Sequence, residues 1–172
     1  MYAGGMIFSI NKSFGHLQLV PECEGLRLFY TPVVNGVFAP GAVGSLNLLL
    51  PIDAVGGLWA TSRAFLYGVE SLDENVILQG GSPQPPAPGG GTKEETAESD
   101  ILIKLYRDRP RGQQGKLSGD ETCWLRLVTG RSEEERRRIK LGPRDLMSLE
   151  LACNSVMLLA AQQGSHRPRL SA

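Results

Sequence analysis

Three short runs in the second half of the chain set cations two residues apart from an aromatic ring or, in the third, from one another. Lys104 and Tyr106 lie in DILIKLYR (residues 100–107). Trp124 and Arg126 lie in TCWLRLV (122–128), and Arg136, Arg138 and Lys140 in RRRIKL (136–141). In an extended strand, side chains two apart share a face. Each run therefore carries its cations and rings on one side and aliphatic residues such as Leu125, Leu127, Ile139 and Leu141 on the other. The first half offers one such pair, Arg27 and Phe29, opposite Leu26 and Leu28. Rings stack on unpaired bases, at ~1–3 kcal/mol per base, and cations meet phosphates. Single-stranded DNA or RNA is the ligand class that such faces suit. The stretch from Arg107 to Lys116, with Arg109 and Arg111, reads as a loop adding positive charge at a strand end. The candidate binding set is Arg27, Phe29, Lys104, Tyr106, Arg107, Arg109, Arg111, Trp124, Arg126, Arg138 and Lys140.

The same residue types also make an ordinary solvated sheet face or a protein interface. Glu133 to Glu135 stand beside Arg136 to Arg138 and would offset them, and Trp124 would fit under a loop. Charge does not decide between these readings. The chain is formally neutral as a whole, yet residues 1–68 are neutral, residues 69–100 carry −6 and residues 101–172 carry +6. The positive field that could draw a polyanion belongs to the second half alone.

Catalytic chemistry finds little to work with. There are two histidines, His16 in a strand-like run and His166 near the end, and no G-x-S-x-G, H-E-x-x-H or phosphate-loop motif. GGGTK at 89–93 lacks the spacing and preceding strand of a phosphate loop. Asp53 and Asp145 read as helix caps rather than acids. Cys23, Cys123 and Cys153 are odd in number and widely spaced, without a C-x-x-C pair. That pattern suits a reducing, intracellular compartment, cytoplasmic, nucleoid or mitochondrial, and argues against structural zinc. The expectation is a non-enzymatic protein with no metal and no cofactor. No apolar run reaches the ~20 residues of a membrane span, and the first residues do not read as a secretory signal.

The elements that would position the candidate set follow from periodicity. With 41% hydrophobic and 21% charged residues, a globular core is within reach. Alternation and turn residues predict strands at Met6–Lys12, His16–Val20, Leu26–Val33 and Ser45–Leu50. Pro51-Ile-Asp53 then opens a helix with Val55, Leu58, Trp59, Phe65, Leu66 and Val69 on its apolar side, Asp53 being the expected N-cap. Gly56 and Gly57 in its first turn suggest close packing against another backbone. Asn75–Gln79 is a further strand, and the Gly/Pro-rich residues 80–99 read as a disordered loop. Asp100–Arg107, Thr122–Val128 and Arg136–Leu141 are strands before a second helix from Pro143, with Leu146, Leu149, Cys153, Val156, Met157 and Ala160 on one stripe. Met147, Leu151, Leu158 and Leu159 fall off that stripe, so the helix needs a second apolar surface, in the other half or another subunit.

The two halves read as copies of one unit. Setting Pro51 on Pro143, 92 residues apart, brings Leu49 onto Leu141, Asp53 onto Asp145 and Ala60 onto Ala152; Leu26-Arg27-Leu28 pairs with Leu125-Arg126-Leu127. The expected fold is α+β, a tandem ββββα repeat with two antiparallel sheets packed with two helices. It forms a single domain over 1–172, with a first unit at 5–70, a second at 75–162 and a flexible tail at 163–172.

On these strand–helix junctions, Arg137-Arg138-Ile139-Lys140-Leu141 through Pro143 and Asp145, and Leu48-Leu49-Leu50 through Pro51 and Asp53, the chain resembles the Whirly-type fold group. That group takes in the plant Whirly proteins, the kinetoplastid mitochondrial RNA-binding proteins, the PUR-repeat proteins and the single-unit PC4-like coactivators. The chain has no Lys-Gly-Lys-Ala-Ala-Leu signature of the plant branch. The resemblance implies single-stranded DNA or RNA binding along the sheets and frequent oligomers, homo- or heteromeric, through the apolar helices. The competing expectation is an assembly subunit of a larger ribonucleoprotein complex that uses the same scaffold to hold other proteins.

Overall fold

A computed structural model describes residues 6–69, 72–84, 101–108, 122–128 and 136–165. The elements run β1 (Phe8–Lys12), β2 (Gly15–Glu22), β3 (Gly25–Val34), β4 (Val37–Phe38), β5 (Leu46–Pro51), α1 (Ile52–Leu66), β6 (Glu74–Leu78), β7 (Ile101–Asp108), β8 (Thr122–Val128), β9 (Arg136–Leu141) and α2 (Pro143–Ser165). The class is α+β, with two antiparallel sheets and two helices.

In the first sheet β1 pairs with β2 and β2 with β3, while β3 pairs along its other side with both β5 and the short β4. The second sheet is a meander in the order β6-β7-β8-β9. Alternation sets both registers. Leu17, Leu19, Leu26, Leu28 and Leu50 in one sheet, and Ile77, Ile103, Leu105, Leu125 and Ile139 in the other, turn to a single continuous core. The β3–β4 hairpin is missing from the sequence-based expectation. Asn35-Gly36 forms its turn, with φ of 52° and 78°. Both central residues of such a tight turn need positive φ, which Asn tolerates and Gly adopts freely.

The helices cross over. α2 lies on β1, β2 and β3, α1 lies on β6 and β7 while also touching β3 and β5, and the two helices pack on each other. α2 thus meets both the first sheet and α1, and neither contact covers Met147, Leu151 and Leu158, which lie off its main stripe and remain exposed. Gly57 stands against the Asn75 side chain, where an added Cβ would come within 2.7 Å of Nδ2, so the close approach is to a β6 side chain and not to a backbone; Gly56 has open space around it. Thr61 and Ser62 are buried in α1, and their hydroxyls donate to the Gly57 and Trp59 carbonyls at 2.9 and 3.0 Å. Val69, expected on the apolar side, lies beyond the helix end and is exposed.

The caps differ from expectation in an instructive way. Pro51 is the N-cap of α1, with no side-chain hydrogen bond, and Asp53 stands inside the first turn, where its charge complements the helix dipole. In α2, Asp145 Oδ2 accepts the Gly142 N–H at 2.9 Å and the Lys12 ammonium at 2.7 Å. This is the returning half of a capping box, extended by an ion pair to β1.

Buried positions of the two strand–helix junctions coincide at a separation of 91, not 92. Leu50 and Leu141, Val55 and Leu146, Leu58 and Leu149, Thr61 and Ala152, Ser62 and Cys153, and Phe65 and Val156 are all buried. Pro51 precedes its helix, whereas Pro143 begins its own. Strand pairing agrees: Leu50 faces Leu26, and Leu141 faces Cys123.

Of the expected disordered loop at 80–99, residues 80–84 fold back on β6, with Leu78 N donating to Ser82 O and Gln84 N to Val76 O; residues 85–99 lie outside the described residues. Residues 163–165, expected in the tail, continue α2, and residues 166–172 lie outside the described residues.

Candidate nucleic-acid interface

The outer face of β6–β9 gathers six of the eleven candidate residues into a grid. One row across the sheet is Glu74, Tyr106, Trp124 and Lys140; the next is Val76, Lys104, Arg126 and Arg138. Tyr106 and Trp124 are direct cross-strand partners, as are Lys104 and Arg126. The period of two places all six on one side, opposite Leu105, Leu125 and Ile139 in the core. Arg138 and Lys140 are exposed and the other four are half-buried.

These side chains hold each other. The Arg138 guanidinium lies over the Trp124 ring at 4.6 Å and beside Tyr106 at 5.9 Å, and the Lys104 ammonium lies 5.3 Å from the Tyr106 ring. Cations over ring faces at such distances are attracted by the ring quadrupole. Trp124 Nε1 donates to Thr122 Oγ1 at 3.1 Å, fixing the indole along its strand. Trp124 is therefore on the sheet face and not under a loop of the described residues. Lys104 pairs with Glu74 at 2.9 Å. Sequence reading assigned Glu74 to the acidic middle segment and missed it as a member of this face. The signal was present in its position, one residue before the expected strand.

The remaining candidates lie elsewhere. Arg27 and Phe29 belong to the outer face of the first sheet. There Arg27 is held by Glu22 through two bonds at 2.6 and 3.2 Å and touches Asn47 at 3.4 Å. Phe29 pairs across the strands with Gln18 and Asn47. This face mixes apolar Val20 and Leu49 with polar Gln18 and Asn47, and its Arg27 is balanced by Glu22, unlike the other. Arg107 is a correction. It is the seventh residue of β7 and shares the inward side with Ile103 and Leu105, so it is not a loop cation. Its guanidinium is fully buried, donates to the Val69 and Leu72 carbonyls at 2.6 and 2.9 Å, and lies over Phe65 at 4.9 Å. It ties the chain after α1 to β7. Arg109, Arg111 and the acidic run Glu133–Glu135 lie outside the described residues.

Among the described residues two titratable groups are shifted. Burial pushes the Tyr30 hydroxyl above its ordinary range, partly offset by the neighbouring Arg137 guanidinium. Burial, helped by Glu150, pushes the Cys153 thiol up to about 12, so it is a packing residue rather than a nucleophile. Among the described residues no cluster of three or more His, Cys, Asp or Glu is arranged to hold a metal. No helix of the described residues is long and apolar enough to cross a membrane.

The fold and this face define an α+β protein of two antiparallel sheets and two helices, with a basic, aromatic outer face on the second sheet. No family model matches the chain, and no curated protein matches it.

Proposed function

We propose that the chain binds single-stranded DNA or RNA, without catalysis, across the outer face of β6–β9. The observation carrying this reading is the Tyr106–Trp124 pair set among Lys104, Arg126, Arg138 and Lys140 on one sheet face. Rings side by side across neighbouring strands offer successive bases a stacking platform, and the cations follow the phosphates. In the free protein Arg138 caps the Trp124 ring. An incoming base either stacks on the guanidinium or displaces it, and a displaced guanidinium is released to a phosphate. The first sheet, with Arg27 committed to Glu22, contributes little to this attraction.

The same reading includes a duplicated ββββα unit of the Whirly type, supported by the coincidence of buried positions 91 residues apart. It also takes the protein to work in a reducing compartment inside the cell. A second reading, an assembly subunit that binds other proteins or a further copy of itself, is favoured by the exposed Met147, Leu151 and Leu158 on α2.

The test is fluorescence anisotropy with a labelled oligothymidylate and its oligouridylate counterpart at two salt concentrations. Binding should weaken steeply with salt. Trp124→Ala should lower affinity about tenfold, within the range of one lost base stack. Lys140→Ala should reduce the logarithmic salt slope by ~0.7, the share of one phosphate contact on a single strand. No binding at low salt would eliminate the first reading and leave the second.

A further inference from the structure

Where the edge strand β9 meets the far end of β3, the two halves of the chain enclose an open groove of about 310 Å³. Its apolar wall is Phe14, Pro32, Val33, Val34 and Val43 from the first half, and its polar wall is Arg137 and Arg138 from β9. Arg137 and Arg138 alternate in direction along the strand, and both reach the groove because it runs past the open side of the sheet. Phe14, Val34 and Val43 are 41%, 46% and 69% exposed. Apolar side chains left this open around one hollow mark a contact site more often than chance scatter does. The hollow is well supported from below: Val33 N donates to Phe14 O at 2.9 Å, and Pro32 is buried.

We propose that this groove takes one unstacked nucleobase of the strand bound on β6–β9, with the adjoining phosphate on Arg137 and Arg138; the inference rests on the function proposed above. Three observations select this occupant. Arg138 is common to both places, since it covers Trp124 on the sheet and lines the groove, so a strand crossing the rings arrives at the groove without a gap. The volume is at the small end of ligand pockets, right for a single flat ring system and too small for a folded peptide element. Two guanidiniums beside an apolar slot match a base and its phosphate, one uncharged and flat, the other anionic. An apolar slot accepts any base by shape, so the site gives anchorage and strand polarity rather than sequence preference.

The experiment uses the full chain and a 20-residue oligothymidylate, with 5-iodouracil at internal positions for photo-cross-linking. Val43→Trp fills the groove from an exposed position and should leave the circular dichroism spectrum unchanged. Its affinity should fall about tenfold with the logarithmic salt slope reduced by no more than ~0.7, the share of the one phosphate at the groove, because the phosphate contacts on the sheet persist. In the wild type, cross-links should appear on the tryptic peptide Ser13–Arg27, which carries Phe14, as well as on peptides with Tyr106 or Trp124. Unchanged affinity of Val43→Trp together with cross-links confined to Tyr106 and Trp124 would overturn the groove and leave the sheet face standing; that outcome would return the groove to a protein partner. Absence of any binding by the wild type would remove both. If Val43→Trp fails to fold, the wild-type cross-linking pattern decides alone.

Discussion

Asp145 offers a measurable test of how the two halves are joined. One carboxylate oxygen closes the start of α2 by accepting the Gly142 N–H and reaches the Lys12 ammonium at the end of β1, 133 residues away. A capping acceptor is worth ~1 kcal/mol. The ion pair is 26% and 20% exposed, so solvent screens it in part, and ~1 kcal/mol is a fair value. Asp145→Ala should therefore lower stability by ~2 kcal/mol. Asp145→Asn keeps a carbonyl for the Gly142 N–H and should lose ~1 kcal/mol, as should Lys12→Met. The assay is urea unfolding followed by tryptophan fluorescence, with Trp59 and Trp124 as reporters. The double-mutant cycle of Lys12→Met with Asp145→Ala should show a coupling of ~1 kcal/mol that shrinks in 1 M salt, where the Debye length is about 3 Å. Equal losses for Asp145→Ala and Asp145→Asn, with coupling below ~0.3 kcal/mol, would refute the two-bond account.

Two further outcomes follow from buried polar groups. Arg107→Met keeps the length of the side chain but leaves the Val69 and Leu72 carbonyls without their donor; unfolding should show a loss of about 3 kcal/mol, and a loss under ~1 would contradict the buried-clamp role. Tyr30 gives a pH signature: above its ordinary pKa of 10.0 the unfolded chain releases the phenolic proton while the folded chain keeps it. The unfolded state then binds fewer protons, so stability falls as pH rises through 10. Tyr30→Phe should flatten part of that fall between pH 9.5 and 11, and identical slopes would refute it.

What could be read from the sequence was local and periodic. Lys104, Tyr106, Trp124, Arg126, Arg138 and Lys140 share a face because a strand repeats every two residues and the pairings of β7 with β8 and β8 with β9 carry no bulge to break that parity. The same rule placed Arg107 with Leu105, but its charge drew it into the expected loop, and a buried arginine is intelligible only once the Val69 and Leu72 carbonyls are beside it. Asp53 and Asp145 look alike in sequence and differ in role because α1 begins after Pro51 and α2 begins at Pro143, a one-residue difference that propensity does not resolve. The two prolines suggest one separation between the junctions, 92 residues, whereas buried positions such as Leu50 and Leu141 coincide at 91. The crossing of the helices, and with it the groove between Phe14 and Arg138, depends on contacts between distant segments that no periodicity encodes.

The crossed helices also set an order of events on the ribosome. β1, β2 and β3 leave the exit tunnel early, yet the helix that covers them begins 92 residues after the end of β5. At ~5–20 residues per second, the inner side of the first sheet waits roughly 5–20 s for its cover. During that interval Leu17, Leu19 and Leu28 face water or whatever else binds them. Synthesis of this chain thus includes a period in which a half-made molecule is adhesive, and a chaperone, or a neighbouring nascent chain on the same message, is the natural temporary occupant.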